Sequence, residues 1–391
     1  MFIFQLFEIF FWVSVSIVSH TYIIYPILVR VLAIGKKPND IIFSSHELPK
    51  VTIIMAAHNE EKVILEKINS VFSGNYPKDQ LEFLIGTDNC SDATVQIIQE
   101  LQKSYQQIKL HDFKERQGKI TIVNELTERA KHEVLILTDA NVIFDSDTIM
   151  QLIQHFKNEQ IGLVDSRMKN TGLNINGISI QEKTYINMEV GTKNAEGKLW
   201  GAMMGPFGGC FAIRKKAFSK IPNHFLVDDF YLNMEVLRKG YHCINESRAI
   251  AYEDVSNELA EEFRRKTRIA TGNFQNLALF SNMLFRFNGI AFAFLSHKVF
   301  RWITPFLLIS ALISAFLLIS INMIYVQASI FIIILLLFVI FDLVLSKFKV
   351  NVSFFRFFTH FFAMNLALIK GFFIYINGVK SSIWEPTKRL Q

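Results

Sequence analysis

Hydrophobic and polar positions follow two regimes along this chain. Residues 9–29 carry no formal charge, and further apolar runs cover 302–321, 328–346 and 357–379. At about 1.5 Å rise per residue, some 20 helical residues cross a hydrocarbon core of roughly 30 Å. The first run therefore predicts one spanning helix, and the next two predict a hairpin that crosses and returns. Asp342 interrupts the third run, and the last carries His360 and Lys370. That last segment reads either as a span or as a tilted, re-entrant or interfacial helix.

Between these runs, residues 51–252 alternate short apolar stretches with amphipathic ones. Strands are predicted over 51–55, 81–87 and 133–138. A first helix turns Val63, Ile64, Ile68 and Val71 inward; a second, capped by Ser91, carries Val95, Ile98 and Leu101; a third follows Gly118-Lys119. The alternation predicts an α/β fold, a mostly parallel sheet covered on both faces.

Composition sharpens the division. Of 391 residues 51% are hydrophobic, which excludes a disordered chain. Of 38 Phe, 5 precede residue 12 and 20 lie from Phe280 onward. Residues 1–262 have net charge −6 and 263–391 net +12. Glu8 precedes the first span while Arg30, Lys36 and Lys37 follow it, so the positive-inside rule places the body in the cytoplasm of a multi-pass cell-membrane protein. Arg264, Arg265, Lys266 and Arg268 beside Phe274 and Phe280 predict a helix lying on the inner leaflet. No RNA-recognition motif accompanies them, and no nucleic-acid partner is expected. Three scattered cysteines form no C-x-x-C pair, so neither a disulfide framework nor a zinc ribbon is expected. The organisation read from these patterns is a membrane helix in 1–35, a body over 48–255, interfacial helices over 256–297, membrane or re-entrant helices over 298–380 and a basic tail over 381–391.

Three predicted strands end in polar turns at Glu60, Asp88 and Asp139. Ligands of open α/β sheets bind outside the carboxyl ends of the strands, so these distant residues are expected to converge. Any one of them is also explained as a turn former, but three in succession fit a carboxylate-lined crevice better. No G-x-G-x-x-G follows a strand, and Arg116-Gln117-Gly118-Lys119-Ile120 lacks the upstream Gly and the Ser/Thr of a P-loop, which disfavours an ATPase or dinucleotide oxidoreductase. A divalent ion bridging a diphosphate suits the remaining oxygen donors.

Over roughly residues 50–275 these motifs resemble the membrane-embedded family-2 glycosyltransferases of GT-A (Rossmann-like) fold, the branch of cellulose, hyaluronan and poly-N-acetylglucosamine synthases. Ala56-Ala57-His58-Asn59-Glu60 is similar to the opening loop that receives the nucleobase, with His58 where Tyr is usual. Asp88 resembles the nucleoside-binding aspartate, and Gly118-Lys119 with Asn124 the G-K-x-x-x-x-N step. Asp139-Ala140-Asn141 occupies the metal-binding D-x-D position, with an amide for the second carboxylate. Gly205-Pro206-Phe207-Gly208-Gly209-Cys210 resembles the glycine-rich acceptor segment, and Asp228-Asp229 the T-E-D element whose last residue is the general base. Arg265-Lys266-Thr267-Arg268-Ile269 stands where the family has Q-x-x-R-W, keeping Arg268 but replacing the acceptor-supporting Trp by Ile269. The alternative for these arginines is leaflet binding. Trp384 and Arg389 are similar to a terminal W-x-x-x-x-R.

The resemblance implies an inverting transferase. Asp229 would be catalytic. Ala57, His58, Glu60, Asp88, Lys119, Asp139, Arg265 and Arg268 would bind the nucleotide sugar, foremost a UDP-sugar. Gly208, Gly209, Cys210 and Asp228 would line the acceptor site, and Asp139 with Asn141 would hold Mg2+ or Mn2+. The expected acceptor is a growing polysaccharide or a lipid-linked glycan at the membrane, with export or assembly partners. A single addition to a polyprenyl-linked acceptor is the alternative, and a non-catalytic nucleotide-sugar scaffold the alternative of another class. A transporter is disfavoured, since few spans flank about 220 soluble residues.

Overall fold

The computed structural model describes residues 2–171, 179–254, 259–348 and 350–379, and for 179–185 the backbone alone. Trp384 and Arg389 lie outside the described residues. Among the described residues eight strands form one sheet: β1 (Val51–Ala57), β2 (Leu81–Asp88), β3 (Ile108–Phe113), β4 (Val134–Thr138), β5 (Val142–Phe144), β6 (Ile161–Thr171), β7 (Cys210–Arg214) and β8 (His242–Asp254), in the order β3-β2-β1-β4-β7-β6-β8-β5. The β3-β2-β1-β4 half is parallel, and β6 pairs parallel with β8; β7 runs antiparallel to β4 and β6, and β5 to β8. The sheet is mixed and mostly parallel.

Successive side chains on a strand face opposite ways, and both faces of β1 are covered. Ile53 and Met55 pack with Ile64, Ile68 and Ile98, whereas Ile54 packs with Ile122 and Leu126. The covering helices on the first face are Ile64–Phe72 and Thr94–Ser104, and on the second Lys119–Arg129 and Asp228–Arg238. A Cβ on Gly86 would meet Ile122 at 2.3 Å, so glycine there lets the Lys119–Arg129 helix lie against β2. Ser91 does not cap Thr94–Ser104. Asp92 does so instead, its Oδ1 accepting from the Thr94 amide at 3.0 Å, because a carboxylate two residues ahead reaches that N–H.

Among the described residues four helices are long and apolar enough to cross a membrane: Phe2–Leu32, Gly289–Leu317, Met323–Lys347 and Ser353–Ile376. The first starts before Glu8, whose carboxylate accepts from the Tyr325 hydroxyl at 3.2 Å. The second starts at Gly289, well ahead of the expected 302, and takes in His297, Lys298 and Arg301 because carboxylates within the protein face all three. His297 lies 2.7 Å from Glu196 and 3.0 Å from Glu189, and Glu189 also pairs with Lys298 and, at 2.6 Å, with Arg301. Both glutamates belong to the helix Ser179–Trp200, where Glu196 also accepts from Tyr25 of the apolar Phe2–Leu32 helix at 2.7 Å. A buried ionic knot thus ties the apolar helices to the sheet domain.

The Leu259–Phe280 helix packs between the body and Ser353–Ile376, with Gly371 seated on Ala270 and Thr271. Arg264 is exposed, whereas Arg265, Lys266 and Arg268 line a cavity. The Asp228–Arg238 helix and the apolar face of Ser353–Ile376 hold the helix in that orientation.

Candidate active site

The carboxyl ends of β1, β2 and β4 open onto a cavity of about 70 Å³ lined by Ala57, His58, Glu60, Asp88, Arg116, Lys119, Asp139 and Asn141, among others. The turns leaving β1 and β2 bend through left-handed Asn59 (φ 54) and Asn89 (φ 51), a conformation asparagine tolerates. Asn59 Oδ1 accepts from the Ser91 amide at 2.9 Å, which locks the two turns together. His58 Nδ1 lies 2.6 Å from the Asp88 carbonyl oxygen, so that nitrogen carries the proton and donates. The Asp88 carboxylate accepts from the amides of Gln117 at 2.7 Å and Gly118 at 3.0 Å and pairs with Arg116 at 3.0 Å. Asp88 therefore fixes the loop that launches Lys119, a turn made possible by Gly118 at φ 85.

Lys119 and Asp139 are shared with a second cavity of about 350 Å³, which also takes in Gly208, Gly209, Asp228, Asp229, Arg265 and Arg268. Residues from the end of β4, three helices and a loop thus meet although they lie as far apart in sequence as Lys119 and Arg268. Lys119 Nζ lies 2.7 Å from Asp139 and 3.7 Å from Asp228. Burial alone would lower its pKa, but these two carboxylates raise it above the ordinary lysine value. Asp229 is pushed up to about 7 by burial and by the neighbouring Asp228 carboxylate, against the pull of Lys119. A carboxylate titrating near neutrality is suited to accept a proton from a hydroxyl. Gly208 approaches Asp229 so closely that a Cβ would stand 2.7 Å from its Oδ2.

Cys210 does not share this lining. It is fully buried, because strand alternation turns it into the core beneath Gly209, and burial pushes its thiol up to about 12. Other cavity residues had no local sequence signal. Lys193 pairs at 2.6 Å with buried Asp165, whose other oxygen accepts from the Phe207 amide at 3.0 Å; this pair holds the Gly205–Gly209 segment. Lys298, Arg301 and Trp302 extend the cavity to the apolar Gly289–Leu317 helix, and Glu253 and Asn170 line it as well. Ile269 also lines it, at the position where the resemblance expects Trp.

Lys67, on the Ile64–Phe72 helix, also carries no local signal of its place beneath the site. Its fully buried ammonium donates to Thr138 Oγ1 at 2.9 Å and to the Val142 carbonyl, bracketing residues 139–141 from beneath. Asp139, together with the side-chain carbonyl of Asn141, offers the hard oxygen donors that Mg2+ or Mn2+ prefers. Among the described residues no three His, Cys, Asp or Glu side chains form a complete metal cage.

Residues 52–222 match the family described as Glycosyl transferase family 2, and 182–343 match Glycosyl transferase family group 2. The chain is 29% identical over 238 residues to a probable glycosyltransferase, YdaM, of Bacillus subtilis, and 26% identical over 234 residues to the poly-beta-1,6-N-acetyl-D-glucosamine synthase of Staphylococcus epidermidis. Each match covers 58% of this chain and just over half of the relative, 56% and 55% respectively. Among solved structures, the mannosyltransferase PcManGT of Pyrobaculum calidifontis, in complex with GDP-Man and Mn2+, superposes with a TM-score of 0.71 over 94% of this chain and 99% of its own, at 18% identity. That likeness shows a shared GT-A-like fold.

Proposed function

We propose that this chain, which carries a family-2 glycosyl transferase domain over residues 52–222, transfers a sugar with inversion from a nucleotide-diphosphate sugar to a glycan acceptor at the cytoplasmic face of the cell membrane. The acceptor is a growing polysaccharide or a lipid-linked glycan. One observation carries the reading: Lys119, Asp139, Asp228 and Asp229 line a single cavity that continues to Lys298, Arg301 and Trp302 of an apolar, membrane-length helix. A water-soluble donor and a membrane-bound acceptor meet in such a space.

In this mechanism Asp229 takes the proton of the attacking hydroxyl, a role contributing about 10² to 10⁴ in rate. Lys119, Arg265 and Arg268 surround the leaving diphosphate with fixed positive charge, and a cation already oriented needs no reorganisation as negative charge grows. Asp139 and Asn141 would hold a divalent metal, which when bound neutralises diphosphate charge. The Asp88-ordered loop and His58 border the pocket for the nucleoside, and Gly208 and Gly209 leave room for the acceptor beside Asp229.

Addition of a single sugar to a polyprenyl-linked acceptor is favoured by one feature. Ile269 replaces an aromatic platform in the cavity wall, and a branched aliphatic side chain stacks poorly on a sugar ring. The test incubates membranes containing the protein with Mn2+ and a panel of UDP- and GDP-sugars, for wild type and Asp229→Asn. Nucleotide release by the wild type alone supports transfer, and product size separates a polymer from a discrete glycolipid. Donor binding without release in both would leave the scaffold reading and end this one.

A further inference from the structure

The D-x-D position of this chain has lost a negative charge at Asn141, and the fold supplies one from elsewhere. Antiparallel pairing of β5 with β8 sets Val142 opposite Glu253, so Glu253 arrives one residue from Asn141. The Asn141 amide Nδ2 donates to Glu253 Oε1 at 3.3 Å. Asn141 lines the smaller cavity and Glu253 the larger, with Asp139 common to both. Asp139 and Glu253 therefore line the larger cavity together, with Asn141 hydrogen-bonded to Glu253. An aspartate at 141 would set two carboxylates in contact, and the amide removes that repulsion while giving Glu253 a donor.

We infer that Glu253 supplies the second carboxylate of the divalent-metal and diphosphate site, standing in for the charge that Asn141 lacks. The inference rests on the metal reading under Proposed function. It keeps two carboxylates at the site, the number with which Mg2+ or Mn2+ is commonly held when phosphate oxygens complete the shell. Asn141 has a double task, offering its carbonyl oxygen to the ion while its amide hydrogen holds Glu253.

Mn2+ binding to the full-length protein in detergent, followed by EPR titration of free Mn2+ with UDP present and against a protein-free UDP control, tests this apart from catalysis. Glu253→Gln keeps an oxygen that accepts from Asn141 and removes only the charge, so folding is preserved. It is expected to weaken Mn2+ binding at least tenfold, and Asn141→Asp in the Glu253→Gln background is expected to restore affinity to within about threefold of wild type. Wild-type affinity in Glu253→Gln, with binding lost in Asp139→Asn, would overturn the role of Glu253 alone. Absence of saturable binding in the wild type would overturn the metal reading as well.

Discussion

The Lys119 ammonium lies 2.7 Å from the Asp139 carboxylate, joining the residue that opens one helix to the end of β4. The same ammonium faces Asp228, so one cation reaches acidic residues of two chain segments. A diphosphate entering the cavity meets this cation where Asp139 already orients it. Lys119→Met leaves those carboxylates uncompensated and removes a charge-assisted contact worth about 1.5–3 kcal/mol. The donor KM should rise by roughly ten- to a hundredfold, measured as nucleotide release against donor concentration.

Because Asp229 titrates at about 7 and must be ionised to accept a proton, transfer should fall as pH drops through neutrality. Two pH units below that midpoint the rate should be about 100-fold under its plateau. Asp228→Asn removes the like charge that helps raise Asp229, so the midpoint moves to lower pH. A kcat/KM profile from pH 5 to 9 for both proteins checks this, and an unmoved midpoint in the variant would remove Asp228 as a cause.

Lys67 is pushed down to about 7 by burial, against the pull of Cys210 and Asp139. In the unfolded chain it titrates near its ordinary value, so between these limits the unfolded state binds more protons and wild-type stability rises with pH from this source. Lys67→Met has no such slope. Its melting temperature relative to wild type should be highest near pH 7 and should decline toward pH 10. Activity should fall roughly tenfold or more, because Thr138 and Val142 lose the donor that brackets Asp139.

A Cβ on Gly371 would stand 2.5 Å from Ala270 and 2.8 Å from the Thr271 amide nitrogen. Gly371→Leu should therefore push the Ser353–Ile376 helix off the helix that carries Arg265 and Arg268, at a cost of about 1–3 kcal/mol. A lower melting temperature together with a raised donor KM is expected. A change in melting temperature alone would separate the two helices' packing from the site.

The alternation of apolar and polar positions was enough to read the α/β body, the strands that end at Glu60, Asp88 and Asp139, and the apolar helices at both ends. Each of these features is written in local periodicity: period two or a short apolar run for a strand, period 3.6 for a helix, and twenty apolar residues for a membrane-length helix. Cys210 was misplaced because a glycine-rich motif does not say which neighbour turns inward; the alternation of β7 decides that.

Long-range pairing was not legible. Glu253 reaches Asn141 only because β8 lies beside β5, and no spacing in the chain encodes that neighbour. Lys298 and Arg301 read as the flank of a span, yet they lie within the apolar helix because Glu189, more than a hundred residues earlier, is folded against them. Arg265 and Arg268 present the same charge pattern whether a helix faces lipid headgroups or a cavity. Only the packing of Leu259–Phe280 between the sheet domain and the Ser353–Ile376 helix brings them to the cavity, since periodicity fixes which residues share a face but tertiary contacts fix what that face meets.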